Sequence, residues 1–154
     1  MLHIRPLTNT DITPLAHLMA TTPLWQRYGV TEANATARLQ SGLTAQETIA
    51  VAEAAGIPTG FVWYVARSAF QRGGYIMLIG VAATARSQGI GAALMAHAEA
   101  TLFAQADSIF LLVSDFNAAA QRFYQRLGYQ QIGAIPDFVL PGVSELIFYK
   151  GRRE

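Results

Sequence analysis

The stretch RSQGIGAALMAHAEA, residues 86–100, sets two glycines behind an arginine and runs straight into an uninterrupted helical pattern. Gly89 and Gly91 let the backbone approach a ligand closely, and the amides that open a helix have no intrahelical partners. With the helix dipole, that turn suits a phosphate, and Arg86 adds a charge and a fork of donors matched to phosphate oxygens. The same residues also fit a tight strand-to-helix turn whose glycines serve packing alone. Two familiar phosphate motifs are excluded. A dinucleotide fingerprint needs Gly or Ala three residues after Gly91, where Leu94 stands, and a P-loop needs a lysine that the helix start lacks.

On either side of this helix, residues 89 to about 104, lie YIMLIGVA (75–82) and SIFLLV (108–113), apolar at successive positions as central strands covered on both faces would be. A strand, a crossover helix and a second strand of this kind are parallel and right-handed. Further out, residues 2–5 read as a first strand, and Asp11 as the N-cap of a helix to about residue 20, broken by Thr21-Thr22-Pro23. Thr31 caps a second helix carrying Ala35, Leu39 and Leu43 on one face. Residues 47–54 and 60–66 read as antiparallel strands around AAGIPTG, and Gly73-Gly74 as another turn. A helix over 118–127 stops at Gly128, and strands near 129–135 and 145–150 follow. The pattern predicts an α/β fold, a mixed sheet with helices on both faces, whose ligand lies at the carboxyl ends of the strands.

Composition bounds the function. A chain of 154 residues fits one domain, 1–154, and buries about two-thirds of its unfolded surface. With 52% hydrophobic and 14% charged residues it is an ordered globule, and a net charge of +1 gives no broad attraction to nucleic acid or to an anionic membrane. Without cysteine there is no disulfide, thiolate chemistry or cysteine-bound metal, which suits a reducing cytoplasm. The first residues lack an apolar core of signal-peptide length and no later run is long enough to cross a bilayer, so the expected protein is soluble and cytoplasmic. His3, His17 and His97 lie without metal-ligand spacing, and no metal is expected.

GVAATARSQGIGAALM, residues 80–95, resembles motif A of the GCN5-related N-acetyltransferases (GNAT), a strand leading into Arg/Gln-x-x-Gly-x-Gly/Ala, here Arg86, Ser87, Gln88, Gly89, Ile90 and Gly91. NAAAQRFYQRLGY, residues 117–129, is similar to motif B, with Asn117, Ala120, Tyr124, Gly128 and Tyr129 in register. Both occur in the right order, one strand apart, and the resemblance covers about residues 2–150.

The resemblance implies a centrally splayed sheet and acetyl-CoA as cosubstrate. It implies that residues 86–91 hold the pyrophosphate, and that Ile79, Gly80 and Val81 bond the pantetheine arm where the central strands part. An amide near Ile79 or Val81 would then donate to the thioester oxygen as it gains charge. Asn117 matches a residue that contacts the pantetheine region, a role compatible with an ordinary N-cap. Tyr124 matches the general acid for the departing thiolate. Core packing is its other reading, but Ala120, Phe123 and Leu127 supply the helix's apolar stripe and place Tyr124 at the edge. Full transfer from a free phenol to an alkyl thiolate is uphill by about 2 kcal/mol, so Tyr124 acts chiefly as a hydrogen-bond donor that delivers its proton late.

Family members acetylate an amine, and some carry a glutamate on one of the two central strands; FLLVSDF (110–116) and MLIGVAA (77–83) have none. Asp115, Glu53, Asp137 and Glu145 are the candidate bases, each reading first as a surface charge. By resemblance, Trp25, Tyr28 and Phe138 are candidate acceptor walls, and Glu32, Asp137 and Glu145 are acids that could meet an ammonium. No acidic groove for a polycationic acceptor is visible, so the expected acceptor is a small molecule or a peptide N-terminus. The resemblance also allows a homodimer through sheet edges or the C-terminal strands. A non-catalytic acyl-CoA-binding or interaction module stays open as the alternative.

Overall fold

A computed structural model describes residues 1–152. The strands are β1 (Leu2–Pro6), β2 (Ile49–Ala54), β3 (Ile57–Ala69), β4 (Gly73–Val81), β5 (Ser108–Ser114), β6 (Gln130–Ile135) and β7 (Glu145–Gly151). They hydrogen-bond in the order β1-β2-β3-β4-β5-β7-β6. As the sequence predicts, β4 and β5 run parallel, while the β1–β2, β2–β3, β5–β7 and β6–β7 pairs are antiparallel. The described residues pack as two compact units, Met1–Tyr64 with Leu78–Ala98 in one, and Val65–Met77 with residues 99–152 in the other. Among the described residues no helix is long and apolar enough to cross a membrane.

In the first unit, helices α1 (Ile12–Thr21), α2 (Pro23–Arg27) and α3 (Glu32–Thr44) separate β1 from β2. The turn into α1 differs from its sequence reading. Asp11 has helical backbone angles, and its carboxylate instead reaches back to accept from the Thr8 amide at 2.8 Å, closing a capping box on the preceding 3-10 turn. Thr31 caps α3 as expected, its side chain accepting from the Asn34 amide at 3.2 Å. Pro23 breaks α1 and also begins α2, since a first-turn residue needs no amide hydrogen. The β2–β3 hairpin turns on Ala55 and Gly56, both at positive φ (51° and 77°), the backbone that two-residue hairpin turns favour. Helix α4 (Ile90–Phe103) follows β4. A Cβ on Gly60 would meet Leu94 of α4 at 3.2 Å, whereas one on Gly80 would meet Trp25 and Leu18, so α4 and the α1–α2 pair cover opposite faces.

In the second unit the β4–β5 ladder pairs Gly74 with Ile109, Tyr75 with Phe110 and Ile76 with Leu111. β4 itself continues to Val81. Gly73 and Gly74 belong to β4 and are not the turn the sequence reading assigned. The turn lies one step earlier, where Phe70 and Gln71 take φ of 54° and 61°. The glycines answer crowding. A Cβ at Gly73 would come within 2.5 Å of the Phe110 ring, and one at Gly74 within 3.0 Å of Leu102. Helix α5 (Ala118–Arg126) ends at Leu127, and Gly128 follows at φ 95°, the left-handed stop that the sequence predicts.

Candidate functional site

The glycine turn is built in the first unit from a strand end, a 3-10 turn and a helix start. At the end of β4 the Ala82 amide donates to Thr59 O at 2.8 Å, and the 3-10 turn Ala83–Ala85 follows. Ser87 (φ 64°) and Gly89 (φ 78°) then take left-handed backbone, and α4 begins at Ile90. The first intrahelical bond runs from the Ala93 amide to Gly89 O at 3.0 Å, so the amides of Ile90, Gly91 and Ala92 precede the ladder and need partners from outside the helix. Buried Ile90, Leu94, Met95 and Ala98 anchor the helix, while residues 86–89 are exposed. A Cβ added to Gly89 meets nothing within 4 Å, so this glycine serves its positive φ and an open approach, not close packing. Arg86 leans back over the strand end, its Nε donating to Val81 O at 3.4 Å.

The strand end itself is lined differently on its two sides. Ile79, Gly80 and Val81 are half-buried. Trp25 lies over Gly80, where a Cβ would stand 2.6 Å from its ring, and packs on Phe61 with centroids 5.9 Å apart. Trp25 is therefore a buried floor beneath the strand end. Tyr28 is half-buried at the end of α2, and Glu32, at the start of α3, bonds His17 of α1 at 2.5 Å.

The second unit carries the other two candidates. Asn117 caps α5, its Oδ1 accepting from the Ala120 amide at 3.2 Å while its own amide donates to Ser114 O at 3.0 Å. Tyr124 is not at the edge of α5. It is the helix's buried residue, 8% exposed, and meets the rings of Phe123, Tyr129 and Phe148 edge-on. Burial pushes its phenol well above the usual tyrosine range, so it keeps its proton as pH rises. Phe138, 57% exposed, lies in the β6–β7 loop.

The acidic candidates separate by environment. Glu53 accepts from Arg5 at 2.7 Å, Asp115 takes the Ser144 amide at 2.9 Å and Asp137 the Gly142 amide at 2.6 Å. Glu145 departs from its surface reading: as the first residue of β7 it is 7% exposed. A charged residue beside a loop gives no periodic signal of burial, so sequence reasoning missed it.

The profile of the Acetyltransferase (GNAT) family matches residues 14–129, a span holding the glycine turn, Asn117 and Tyr124. The chain belongs to the GNAT family. A curated relative, blasticidin-S acetyltransferase of Streptomyces morookaense, is 36% identical over 76 residues, which is 49% of this chain and 55% of that one. The match thus spans about half the length of that relative. Among solved structures, Ard1 from Thermoplasma volcanium superimposes with a TM-score of 0.82 at 23% identity over 99% of both chains. An aminoglycoside 6'-N-acetyltransferase complexed with coenzyme A does so with 0.80 at 15% identity, again over 99% of both. At such identities these neighbours establish that the GNAT fold extends over nearly the whole chain.

Proposed function

We propose that this GNAT chain is an N-acetyltransferase, working as one catalytic domain, that transfers the acetyl group of acetyl-CoA directly to an amine of a small molecule or a peptide N-terminus. The observation that carries this reading is the turn at Ser87 and Gly89: left-handed backbone, an unobstructed glycine and first-turn amides ahead of the helix ladder. Such donors fit a diphosphate, and the aminoglycoside enzyme of the same fold was solved with coenzyme A.

In this reading Arg86, Ser87, Gln88, Gly89, Ile90 and Gly91 hold the pyrophosphate. Ile79, Gly80 and Val81 present backbone groups at the end of β4 to the pantetheine amides, with Asn117 contacting the same arm. A strand-end amide donates to the thioester oxygen as negative charge grows there. Tyr124, held protonated by burial, donates to the departing thiolate. Phe138, Tyr28 and Trp25 shape the acceptor side, and the cysteine-free composition suits work in the cytoplasm. A homodimer through sheet edges or the C-terminal strands completes the proposal.

Release of coenzyme A from acetyl-CoA, followed across an amine panel that includes blasticidin S, alanine-led dipeptides and alkylamines, tests this reading. Acceptor-dependent release is the expected result. Binding of acetyl-CoA by calorimetry with no release for any amine would favour the second reading, a non-catalytic acyl-CoA-binding module, which the lack of a glutamate on β4 and β5 supports.

A further inference from the structure

The described residues contain only three buried polar or charged side chains, Asp11, Ser114 and Glu145, and two of them face each other. Ser114 and Glu145 are direct partners on the last rung of the antiparallel β5–β7 ladder, and Glu145 also closes the β6–β7 ladder opposite Ile135. Directly opposed residues of an antiparallel pair point to the same face, so a carboxylate and a hydroxyl lie side by side at the carboxyl end of β5, three positions before Asn117.

That rung is fixed from several directions. The Asp115 amide donates to Ser144 O at 3.0 Å and the Ser144 amide returns to Asp115 Oδ2 at 2.9 Å. Gln121 Nε2 donates to Asp115 O at 3.0 Å, and the Asn117 amide to Ser114 O. Glu145 is itself engaged within the fold. A carboxylate with 7% exposure is costly to bury, and the strand pairing alone needs no charge at this position. Of the side chains on β5 and β7, Glu145 is the sole acid.

Resting on the reading as an N-acetyltransferase, we propose that Glu145 is the carboxylate that accepts the proton of the incoming acceptor amine, directly or through one water. The amine arrives as an ammonium and sheds two protons in becoming an amide. Glu145 takes the first and passes it to water, the nitrogen then forms the C–N bond, and the C–S bond breaks. Tyr124 gives its proton to the sulfur, and the second proton lost by nitrogen restores the phenol. One proton is released for each acetyl group moved. Tyr124 packs on Phe148, three residues beyond Glu145 on β7 and hence on the opposite face of the strand, which keeps the proton donor and the proton acceptor from exchanging a proton directly.

The test compares wild type, Glu145→Gln and Glu145→Asp with acetyl-CoA and whichever of blasticidin S, an alanine-led dipeptide or an alkylamine wild type turns over fastest. Glu145→Gln should lower kcat about 100-fold or more and abolish the acid-side limb of the kcat–pH profile, with acetyl-CoA affinity within about twofold of wild type. Glu145→Asp should keep that limb at a reduced rate. A Gln variant with wild-type kcat and an unchanged limb overturns the assignment while leaving the acetyltransferase reading intact. So does an Asp variant that loses the limb while still binding acetyl-CoA. A wild-type protein that turns over none of the acceptors overturns the parent reading and this one with it.

Discussion

The ring of Tyr124 meets that of Tyr129 edge-on, with centroids 5.9 Å apart and planes at 69°. Edge-to-face packing holds the ring by its carbon skeleton, so the hydroxyl can be removed with little loss of core contact. Tyr124→Phe should therefore lower kcat about 100-fold while Tm stays nearly constant and acetyl-CoA affinity changes by less than about twofold. Steady-state kinetics with calorimetry checks this, and an unchanged kcat would remove Tyr124 from the reaction.

The same phenol has a stability consequence. Its folded-state pKa lies above the unfolded value of about 10, so the folded chain favours the protonated ring. That contribution is complete below the unfolded value and is lost as pH rises above it toward the folded one. Tyr129 adds to the trend, its phenol raised by burial and by the charge and hydrogen bond of Glu99. Thermal unfolding above pH 10 should show a steep fall in Tm, shallower in Tyr124→Phe.

Gly89 separates two effects that a glycine usually mixes. An added Cβ there meets nothing within 4 Å, yet φ is 78°, so Gly89→Ala is strained by backbone alone, at about 1–2 kcal/mol. Relief of that strain moves the amides at the start of α4, and acetyl-CoA affinity should fall about tenfold or more, following the same energy. Titration calorimetry on the variant, with circular dichroism to confirm the fold, tests this. Wild-type affinity would dissociate the turn from the cosubstrate.

Much of this arrangement is legible in sequence because it is local. Thr31 three residues before Asn34, Gly128 closing α5, and apolar strands on either side of α4 all act through neighbours along the chain. What escapes is set by distant partners. Gly73 and Gly74 read as a turn until Phe110 and Leu102 are seen against them. Tyr124 looks peripheral on a helical wheel, and only Phe148 and Tyr129, from two other segments, make it central. The place of β7 between β5 and β6, which buries Glu145, is likewise invisible to any local pattern.

Arg5 joins β1 to the start of α1 and to β2. Its Nη atoms reach both Asp11 oxygens at 2.7 and 2.8 Å, and Nε and Nη2 reach Glu53 at 2.9 and 2.7 Å. Burial pushes the Asp11 carboxyl up, but the Arg5 bonds, followed by those from the Thr8 amide and hydroxyl, outweigh it and leave the carboxyl below its usual value. A depressed carboxyl stabilises the fold above its unfolded pKa and loses that contribution as pH falls through the folded value. Asp11→Asn should cost about 2 kcal/mol at neutral pH, lowering Tm by roughly 4–8 °C, and the gap from wild type should narrow below pH 4. A constant gap across that range would mean that the charge contributes nothing.

Glu99 binds two partners at once: Lys150 Nζ donates to Oε2 at 2.8 Å, the Tyr129 hydroxyl to Oε1 at 3.2 Å, and the Lys150 ammonium lies 5.5 Å from the Tyr129 ring centre. Both ionic side chains are largely buried, at 16% and 17% exposure, so removing one strands the other. Lys150→Met leaves a largely buried carboxylate held by the hydrogen bond of a neutral phenol, and it should destabilise by about 2–3 kcal/mol. Glu99→Gln alone should cost less, because the amide still accepts from Tyr129 and the longer lysine can turn its ammonium toward water. The double variant Glu99→Gln with Lys150→Met should be more stable than Lys150→Met alone, because the stranded charge is gone. A denaturant-unfolding cycle measures the coupling directly, and strictly additive losses would show that Glu99 and Lys150 act independently.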